Sequence, residues 1–402
     1  MSVKTPSNLL VLAAGLLQVP AIITAKRMGL RVIALDGDPL AYGLRLADAS
    51  YVVNIQDAEA CLAIAQREQV DGVVHICSEV SMHAMGRVNE VLGLHGVDVA
   101  TAIRATDKEK MRRAFEAGGA PSPRSVGVAT EEDVVAAARV VGWPLIVKPS
   151  RSSGSRGITR LAADAGQVKL LAAFHHAVDE SRDCRAVVEE FVDGPEFSVE
   201  ILTWNGESRV LAVTDKVTTG APHFVETGHS QPTRFTESER RMVEGAAIKG
   251  VKALGIDWAA AHAEVRLSSG GAVLMEIGAR LGGDFITTEL VPRSTGIDMV
   301  EGAIRLALGQ IPDLIPRHPP HGAAIRYLIP KAGKVISIDG LEYARNTAGV
   351  RAVELDARIG EAIPECTSSL SRTGHVIAEA PSAGEAVAIA EAARDAIRII
   401  TE

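Results

Sequence analysis

The stretch AHAEVRLSSGGAVLMEIGAR, residues 261–280, carries the most informative pattern in the chain. Two runs of alternating residues flank the turn Ser268–Gly271, which predicts a β-hairpin. With the hairpin centred on Gly270, Glu264 and Glu276 face each other with Cβ atoms about 5 Å apart. The strand positions expected to face a core are apolar, namely Ala263, Val265, Leu267, Val273, Met275 and Ile277.

Two facing carboxylates repel each other unless a positive group lies between them. Magnesium typically uses one or two protein carboxylates and completes its coordination shell with water and substrate phosphates. The hairpin therefore suits chemistry on a nucleoside triphosphate. The alternative is a solvated hairpin face, on which the two acids pair with Arg266 and Arg280.

A glycine- and serine-rich loop, Ser150–Gly157, follows an apolar strand predicted at Trp143–Val147. Glycine and serine let backbone N–H groups approach phosphate oxygens, and Lys148, Arg151 and Arg156 add positive charge. The loop lacks the Walker GxxxxGK[ST] sequence. From this segment alone, the loop could be either a phosphate-binding lid or an ordinary surface turn.

Two further β-type runs, Val187–Val192 and Asp193–Glu200, meet at a turn. Their acids, set beside apolar residues, could present carboxylate and main-chain groups to an adenine and a ribose. A hairpin with a solvated acidic turn is the other interpretation.

The composition limits the classes of partner. The 402 residues, 47% of them apolar, are enough for two or three domains with their own cores. The formal net charge is -8 and there is no basic run, so nucleic acid is not an expected partner. The longest apolar run, Leu9–Leu17, is far shorter than the roughly 20 residues that span a bilayer, which predicts a buried strand and no membrane segment. Four cysteines without zinc-ligand spacing suit free thiols in a reducing cytosol, so we expect a cytoplasmic protein.

Short β-rich runs alternate with helical stretches through the first hundred residues, which predicts parallel βαβ units. The turn after the first strand, Gly15–Gln18, lacks the GxGxxG pattern of dinucleotide-binding folds, so a dehydrogenase is disfavoured. Asp36 and Asp38 could contact a ribose, but the turn Asp36–Pro39 accounts for them without a ligand. Near the other end, strands are predicted at Ala323–Ile329, Val350–Leu355 and Gly374–Glu379, and an amphipathic helix at Ala383–Ile399.

Four motifs, taken in order, resemble the ATP-grasp superfamily of carboxylate–amine ligases, which includes the biotin carboxylase and purine-biosynthesis branches. They are Asp107-Lys108, Ile146–Pro149 with its loop, Glu189–Val192 and Glu276–Arg280. The resemblance covers nearly the whole chain and implies an α/β protein with an ATP-grasp fold. It implies an N-terminal βαβ pre-grasp domain in residues 1–105, a first nucleotide-binding lobe with a glycine-rich lid in 106–188, a second lobe with the metal site in 189–316, and a small C-terminal α+β domain in 317–402.

The resemblance also implies a role for individual residues. ATP would be contacted by Lys108, Lys148, Ser152, Ser153, Gly154, Ser155, Glu189, Glu190, Phe191, Val192 and Glu196. Glu264 and Glu276 would hold Mg²⁺, with Mn²⁺ as a substitute, and Arg280 would lie where an acyl phosphate forms. Many members of the superfamily have Asn where this chain has Gly278, which puts the second metal site in doubt.

Within the superfamily, the sequence of Glu276–Asp284 looks most like that of the L-amino acid ligases that form dipeptides. The resemblance therefore implies an ATP-dependent ligase that activates a carboxylate as an acyl phosphate and passes it to an amine, with a homodimer expected. The catalytic candidates are Arg280, Lys148 and His229. We expect the stretch Lys216–His229 to line the substrate pocket, with His229 or Glu226 near the amine, although a solvated loop accounts for this stretch equally well.

Two other functions remain open on the sequence. A biotin-carboxylase-like enzyme would use bicarbonate and biotin, and the missing Asn at Gly278 disfavours it mildly. A nucleotide-binding module without turnover would keep the fold and lose the reaction. Lys108, Lys148 and Arg280, together with the two hairpin acids, favour the enzyme.

Overall fold

The computed structural model describes residues 7–152, 154, 156–221 and 223–402. A parallel four-stranded sheet in the order β3–β2–β1–β4 begins the chain. Its strands are β1 (Asn8–Leu12), β2 (Arg31–Asp36), β3 (Ala49–Val52) and β4 (Gly72–Val74). Helices α1 (Val19–Arg27) and α2 (Ala58–Arg67) provide crossovers, so the predicted βαβ units are confirmed. Leu9–Leu12 is fully buried because helices and neighbouring elements cover both faces of the sheet.

Three helices lead from this sheet to the next one. They are α3 (Met82–Leu92), α4 (Val99–Thr106) and α5 (Lys108–Ala117). The side chain of Asp107 caps α5 by accepting a hydrogen bond from the Lys110 N–H. The first residue of α5, Lys108, is buried.

An antiparallel sheet in the order β5–β8–β6–β7 follows. Its strands and helices are β5 (Ser125–Val128), α6 (Glu131–Val141), β6 (Leu145–Pro149), β7 (Thr159–Leu161), α7 (Gly166–Asp179) and β8 (Ala186–Glu190). Strand β6 ends in Lys148 and Pro149, immediately before the glycine-rich loop. In the register of β6 with β8, Ile146 pairs with Glu189. Lys148 and Glu189 therefore approach each other across neighbouring strands.

The rest of the chain builds one large antiparallel sheet and its covering helices. Its elements up to residue 307 are β9 (Glu196–Trp204), β10 (Glu207–Thr218), β11 (Glu226–Gln231), α8 (Glu237–Leu254), β12 (Ala259–Ser268), β13 (Gly271–Gly278), α9 (Val291–Thr295) and α10 (Met299–Ala307). Those that follow are β14 (Gly322–Tyr327), β15 (Gly333–Asp339), α11 (Leu341–Asn346), β16 (Val350–Leu355), β17 (Ala362–Ile363), β18 (Gly374–Ala380), α12 (Ala383–Ala396) and β19 (Arg398–Thr401).

The large sheet has eight strands in the order β13–β12–β9–β10–β11–β14–β18–β16. It is continuous past residue 317 because β11 pairs with β14 in antiparallel register. The four predicted domain ranges stay predictions. Of the helices within the described residues, none is both long and apolar enough to cross a bilayer.

The predicted hairpin is formed by β12 and β13, and Glu264 lies opposite Glu276 as expected. Part of the predicted core face is wrong, because the register shifts by one residue between Glu264 and Val265. Val265 pairs with Leu274, which is fully buried, while Met275 becomes the extra residue of a bulge and Val273 is only half-buried.

The end of the chain differs from the prediction in one respect. Helix α12 begins at Ala383 as expected but ends at Ala396, and residues 398–401 form β19 instead of a last helical turn. Strand β19 pairs with β15 in a separate sheet with β17. Helix α12 packs on the sheet through Ala386 and Ala390, which contact Ala324 and Ala378.

Candidate active site

Two adjoining cavities lie between the β6–β8 sheet and the β12–β13 hairpin. One has a volume of about 130 Å³ and the other of about 120 Å³. The residues that line both are Lys108, Lys148, Ile158, Glu226, Glu264 and Glu276. Charged side chains from four separate parts of the chain therefore meet in one continuous space.

Glu189 holds two cations at the floor of this space. Arg112 donates to its two oxygens at 2.8 and 3.1 Å, and the Lys148 Nζ lies 2.6 Å from Oε2. Burial raises the pKa of Glu189, but Arg112 and Lys148 outweigh burial and lower it to about 2. The Glu189 carboxylate, which was predicted to contact adenine, pairs with Lys148 and Arg112. The predicted adenine contact stays a prediction.

Lys148 is buried beside other cations. Burial lowers the pKa of its ammonium group; Glu189 opposes this effect, and Arg112 and Lys108 reinforce it. An anion entering the cavity would stabilise the charged form of Lys148. This environment suits a phosphate oxygen.

Lys108 is held at the opposite side by Glu276 at 3.2 Å and by the Ser152 carbonyl at 3.0 Å. Burial opposes its charge, but Glu276 and Glu79 raise its pKa. Its own main-chain N–H donates to the Ser150 carbonyl, so the start of α5 and the start of the loop are tied together.

The loop predicted as a phosphate lid is only partly described. Ser150 at its base donates to the Asp183 carboxylate at 2.5 Å. The Ser152 hydroxyl is buried with no partner within the described residues, and Gly154 has φ of +70°. Ser152 and Gly154 line the larger cavity together with Arg156. The predicted residues Ser153 and Ser155 lie outside the described residues.

Glu264 and Glu276 project into the cavity from adjacent strands. Lys216 from β10 lies 2.9 Å from Glu264 and 2.6 Å from Glu196. Burial and the neighbouring Glu276 both raise the pKa of Glu264, whereas Lys216 lowers it. The pKa of Glu264 lies below its usual value as a result. Each hairpin carboxylate is thus compensated by a lysine, Glu264 by Lys216 and Glu276 by Lys108. The arginines expected as alternative partners pair elsewhere: Arg266 with Glu196 and Arg280 with Glu79.

These residues fit Mg²⁺ held jointly by protein and nucleotide. Within the described residues, no three or more His, Cys, Asp or Glu side chains are grouped to hold a metal ion. Glu264 and Glu276 supply two carboxylates on one cavity wall, and their mutual repulsion favours a cation between them. Magnesium needs no larger protein set when phosphate oxygens and water complete its shell.

The smaller cavity contains the predicted nucleotide-base residues. Glu190, Val192 and Glu196 line it together with Met275, the residue extruded by the hairpin bulge. Phe191 lies under the guanidinium of Arg160, 4.1 Å from the ring centroid. Sequence reasoning placed Met275 in a core, because alternation alone does not reveal a bulge.

Glu190, Val192 and Glu196 are also held by arginines. Arg124 lies 2.7 Å from Glu190, while Arg266 donates to the Val192 carbonyl at 2.8 Å and to Glu196 at 2.9 Å. The strands that would enclose a base are therefore fixed by contacts within the protein itself.

Arg280 lies at the other end of the larger cavity. Its guanidinium is buried, 2.8 Å from Glu79, and it donates to the Leu281 carbonyl at 3.1 Å. Sequence reasoning missed Glu79, which lies in the loop between β4 and α3 and carries no motif. It also did not predict the contacts of Lys216 with several cavity acids, although Lys216 is the first residue of the stretch expected to line the pocket.

Glu226 and His229, both predicted near the amine, occupy different layers. Glu226 lines both cavities. His229 is fully buried behind the wall, where its Nε2 lies 3.3 Å from Asp284 and its ring packs edge-on against Tyr327. A direct contact between His229 and the amine stays a prediction.

The comparisons with known proteins agree with this arrangement. A family described as an ATP-grasp domain matches residues 141–289, the part of the chain with the loop, the lysine–glutamate pair and the hairpin. The chain therefore contains an ATP-grasp domain. A second family, described as L-amino acid ligase C-terminal domain 2, matches residues 326–402.

Relatives of this ATP-grasp protein differ in their substrates. The alanine–anticapsin ligase of Bacillus subtilis is 30% identical over 244 residues, which cover 56% of this chain and 51% of that relative. The formate-dependent phosphoribosylglycinamide formyltransferase of Hydrogenovibrio crunogenus is 28% identical over 348 residues, 82% of each chain. The crystal structure of an L-amino acid ligase from Bacillus licheniformis has a TM-score of 0.84 at 24% identity, with 99% of this chain and 100% of that chain covered, and supports the fold. The protein is an ATP-grasp enzyme of the carboxylate–amine ligase type.

Proposed function

We propose that this ATP-grasp enzyme joins the carboxylate of an L-amino acid to an amine with consumption of ATP. The observation that carries the proposal is one continuous cavity where Lys108, Lys148 and Arg280 face the acid pair Glu264 and Glu276. The similarity to an alanine–anticapsin ligase and the match to an L-amino acid ligase C-terminal domain support an amino acid as substrate.

In the proposed first step, a carboxylate oxygen attacks the γ-phosphorus of ATP, and the bond to the β-phosphate oxygen breaks to release ADP. Lys108 and Lys148 neutralise phosphate oxygens, and Arg280 stabilises the acyl phosphate. Glu264 and Glu276 would hold Mg²⁺, or Mn²⁺ in its place, which neutralises phosphate charge when bound. Glu79 beside Arg280 supplies a negative charge suited to an α-ammonium group.

In the second step, the nitrogen of the amine attacks the acyl carbon, and the C–O bond to phosphate breaks. The product is an amide, and the phosphate is released together with the proton that the amine nitrogen loses. Glu226 lines the cavity on the side of β11, where an incoming amine would meet a carboxylate. The loop Ser150–Gly157 would limit access of water, which would otherwise hydrolyse the acyl phosphate. A homodimer and a cytoplasmic location remain predictions of the sequence.

The test is phosphate release from ATP and Mg²⁺ across L-amino acids, singly and in pairs, with mass spectrometry of the products. A new amide formed by the wild type and lost in Lys148→Met would support the proposal. Arg351→Met is the matched control because Arg351 pairs with Glu379 at the surface. Bicarbonate- and biotin-dependent turnover without any amide would overturn the proposal in favour of a carboxylase, and nucleotide binding without turnover under any pair would favour a binding module.

A further inference from the structure

A short turn from the C-terminal part of the chain closes over the wall of the active-site cavity. Residues Ser369–Ser371 form this turn just before β18. The Ser369 hydroxyl donates to Glu226 Oε2 at 2.5 Å, and Arg372 donates to the Glu226 main-chain carbonyl at 3.3 Å. Both the side chain and the backbone of a cavity-lining acid are therefore held by a segment that lines neither cavity.

Arg372 also binds Asp284, which follows Arg280 in the chain. Its two terminal nitrogens donate to the two oxygens of Asp284 at 2.9 and 2.7 Å, a bidentate pair. The guanidinium stacks on Tyr327, 3.7 Å from the ring centroid, and the Tyr327 hydroxyl donates to the Asp284 carbonyl at 3.0 Å. Burial opposes these charges, but the pair lowers the pKa of Asp284 and raises that of Arg372.

Asp284 lies in a strained turn that follows Arg280. Asp284 and Phe285 are consecutive non-glycine residues with φ of +54° and +60°, a conformation that a bulky side chain rarely adopts. Such a turn persists only where its surroundings hold it. Arg280 lies four residues before Asp284, and its guanidinium donates to the carbonyl of Leu281, on the segment that leads into this turn.

We propose that Arg372 is a positioning residue that sets the acceptor side of the cavity by holding the cavity-lining Glu226 and, through Asp284, the turn that follows Arg280. It acts through these residues and does not line either cavity. This inference rests on the proposed function, since the acceptor side is the place where the amine would attack.

The experiment compares Arg372→Met and Arg372→Lys with wild type and with the surface control Arg351→Met. Steady-state kinetics gives KM for ATP and for the amine substrate, and the ratio of amide formed to ADP released. Arg372→Met is expected to raise KM for the amine at least tenfold and to lower the amide-to-ADP ratio, with KM for ATP within about twofold of wild type. Arg372→Lys keeps the charge without the bidentate fork, so partial recovery is expected.

Hydrogen–deuterium exchange supplies a readout that does not depend on turnover. Peptides covering residues 281–290 and 224–231 are expected to exchange faster in Arg372→Met, while peptides of β6 and β8 stay as in wild type. Arg351→Met should leave all four regions unchanged.

The outcomes separate the two proposals. A wild type that forms no amide with any pair counts against the proposed function, and the exchange experiment still decides the role of Arg372. The positioning role alone is overturned if the wild type forms amide and Arg372→Met does not change KM for the amine, the amide-to-ADP ratio or the hydrogen–deuterium exchange. Arg372→Lys covers the case in which Arg372→Met fails to fold: faster exchange than wild type in 281–290 and 224–231 supports the proposal, and unchanged exchange contradicts it.

Discussion

Glu189 is a buried carboxylate whose oxygens accept from Arg112 and lie against Lys148. Because its pKa falls to about 2 from 4.5, its ionised form stabilises the folded state above the unfolded pKa. That contribution is lost as pH falls from about 4.5 toward about 2, and amounts to about 3 kcal/mol in total. We expect Glu189→Gln to lower the free energy of unfolding at pH 7 by about 3 kcal/mol and to flatten its pH dependence in the acid range, as measured by urea unfolding.

The matched control is Glu207→Gln, which removes an exposed acid paired with Arg209. Its free energy of unfolding should stay within about 0.5 kcal/mol of wild type. Equal stability of Glu189→Gln and Glu207→Gln at pH 7 would show that the buried pair does not hold Lys148 in place.

A second single-residue prediction concerns Glu276 and tests its proposed role as a Mg²⁺ ligand. Glu276→Gln keeps the shape and removes one of the two carboxylates on the cavity wall, together with the partner of Lys108. We expect the Mg²⁺ concentration for half-maximal ADP release to rise at least about tenfold, with cooperative thermal unfolding retained. Near-normal turnover at limiting Mg²⁺ would contradict the metal assignment.

At the level of elements, the turn between β8 and β9 packs tightly on β12. Gly194 has φ of +126°, and a Cβ there would lie 2.1 Å from the Leu267 carbonyl oxygen. We expect Gly194→Ala to lower the free energy of unfolding by about 2–5 kcal/mol in urea titration. It should also raise KM for ATP, because this turn lies between Val192 and Glu196, which both line the smaller cavity.

Gly206, in the turn between β9 and β10, is the matched control. Its φ is +73°, but a Cβ at this position would have no atom within 4 Å among its non-neighbouring residues. Gly206→Ala should therefore cost about 1–2 kcal/mol from its backbone conformation alone, with KM for ATP unchanged. Equal effects of the two substitutions would show that the contact between the turn and β12 is unimportant.

At the level of the whole molecule, the C-terminal strands complete the large sheet. Removal of residues 317–402 takes away β14, β16 and β18, exposes the edge of β11, and uncovers Ile286 and Leu290, which pack on Ile325 and Tyr327. We expect this truncated chain to aggregate or to lose cooperative thermal unfolding, as followed by light scattering and calorimetry.

A shorter truncation, after Ala396, removes only β19 and leaves the eight-stranded sheet intact. It should keep cooperative unfolding and nucleotide binding. If residues 7–316 alone stay monomeric and unfold at the temperature of the full chain, the sheet does not depend on its C-terminal strands.

Elements whose pattern is local could be predicted from the amino-acid sequence. Alternation around the Ser268–Gly271 turn places Glu264 opposite Glu276, and apolar runs separated by helices predict the parallel sheet. The hairpin and the parallel sheet depend on residues that are near neighbours in the chain or on a repeat of known period. The ATP-grasp fold, by contrast, was implied by the resemblance of four ordered motifs to a known superfamily.

Which charges meet depends on the three-dimensional packing and could not be predicted in this way. Three ion pairs join residues that are far apart in the chain. They are Glu189 with Arg112, Glu264 with Lys216, and Asp284 with Arg372. The bulge at Met275 likewise moves a side chain from the expected core to the smaller cavity. These outcomes depend on how whole elements pack, because a buried ion pair forms only where packing brings the two groups within a few ångströms, and no local period encodes that distance.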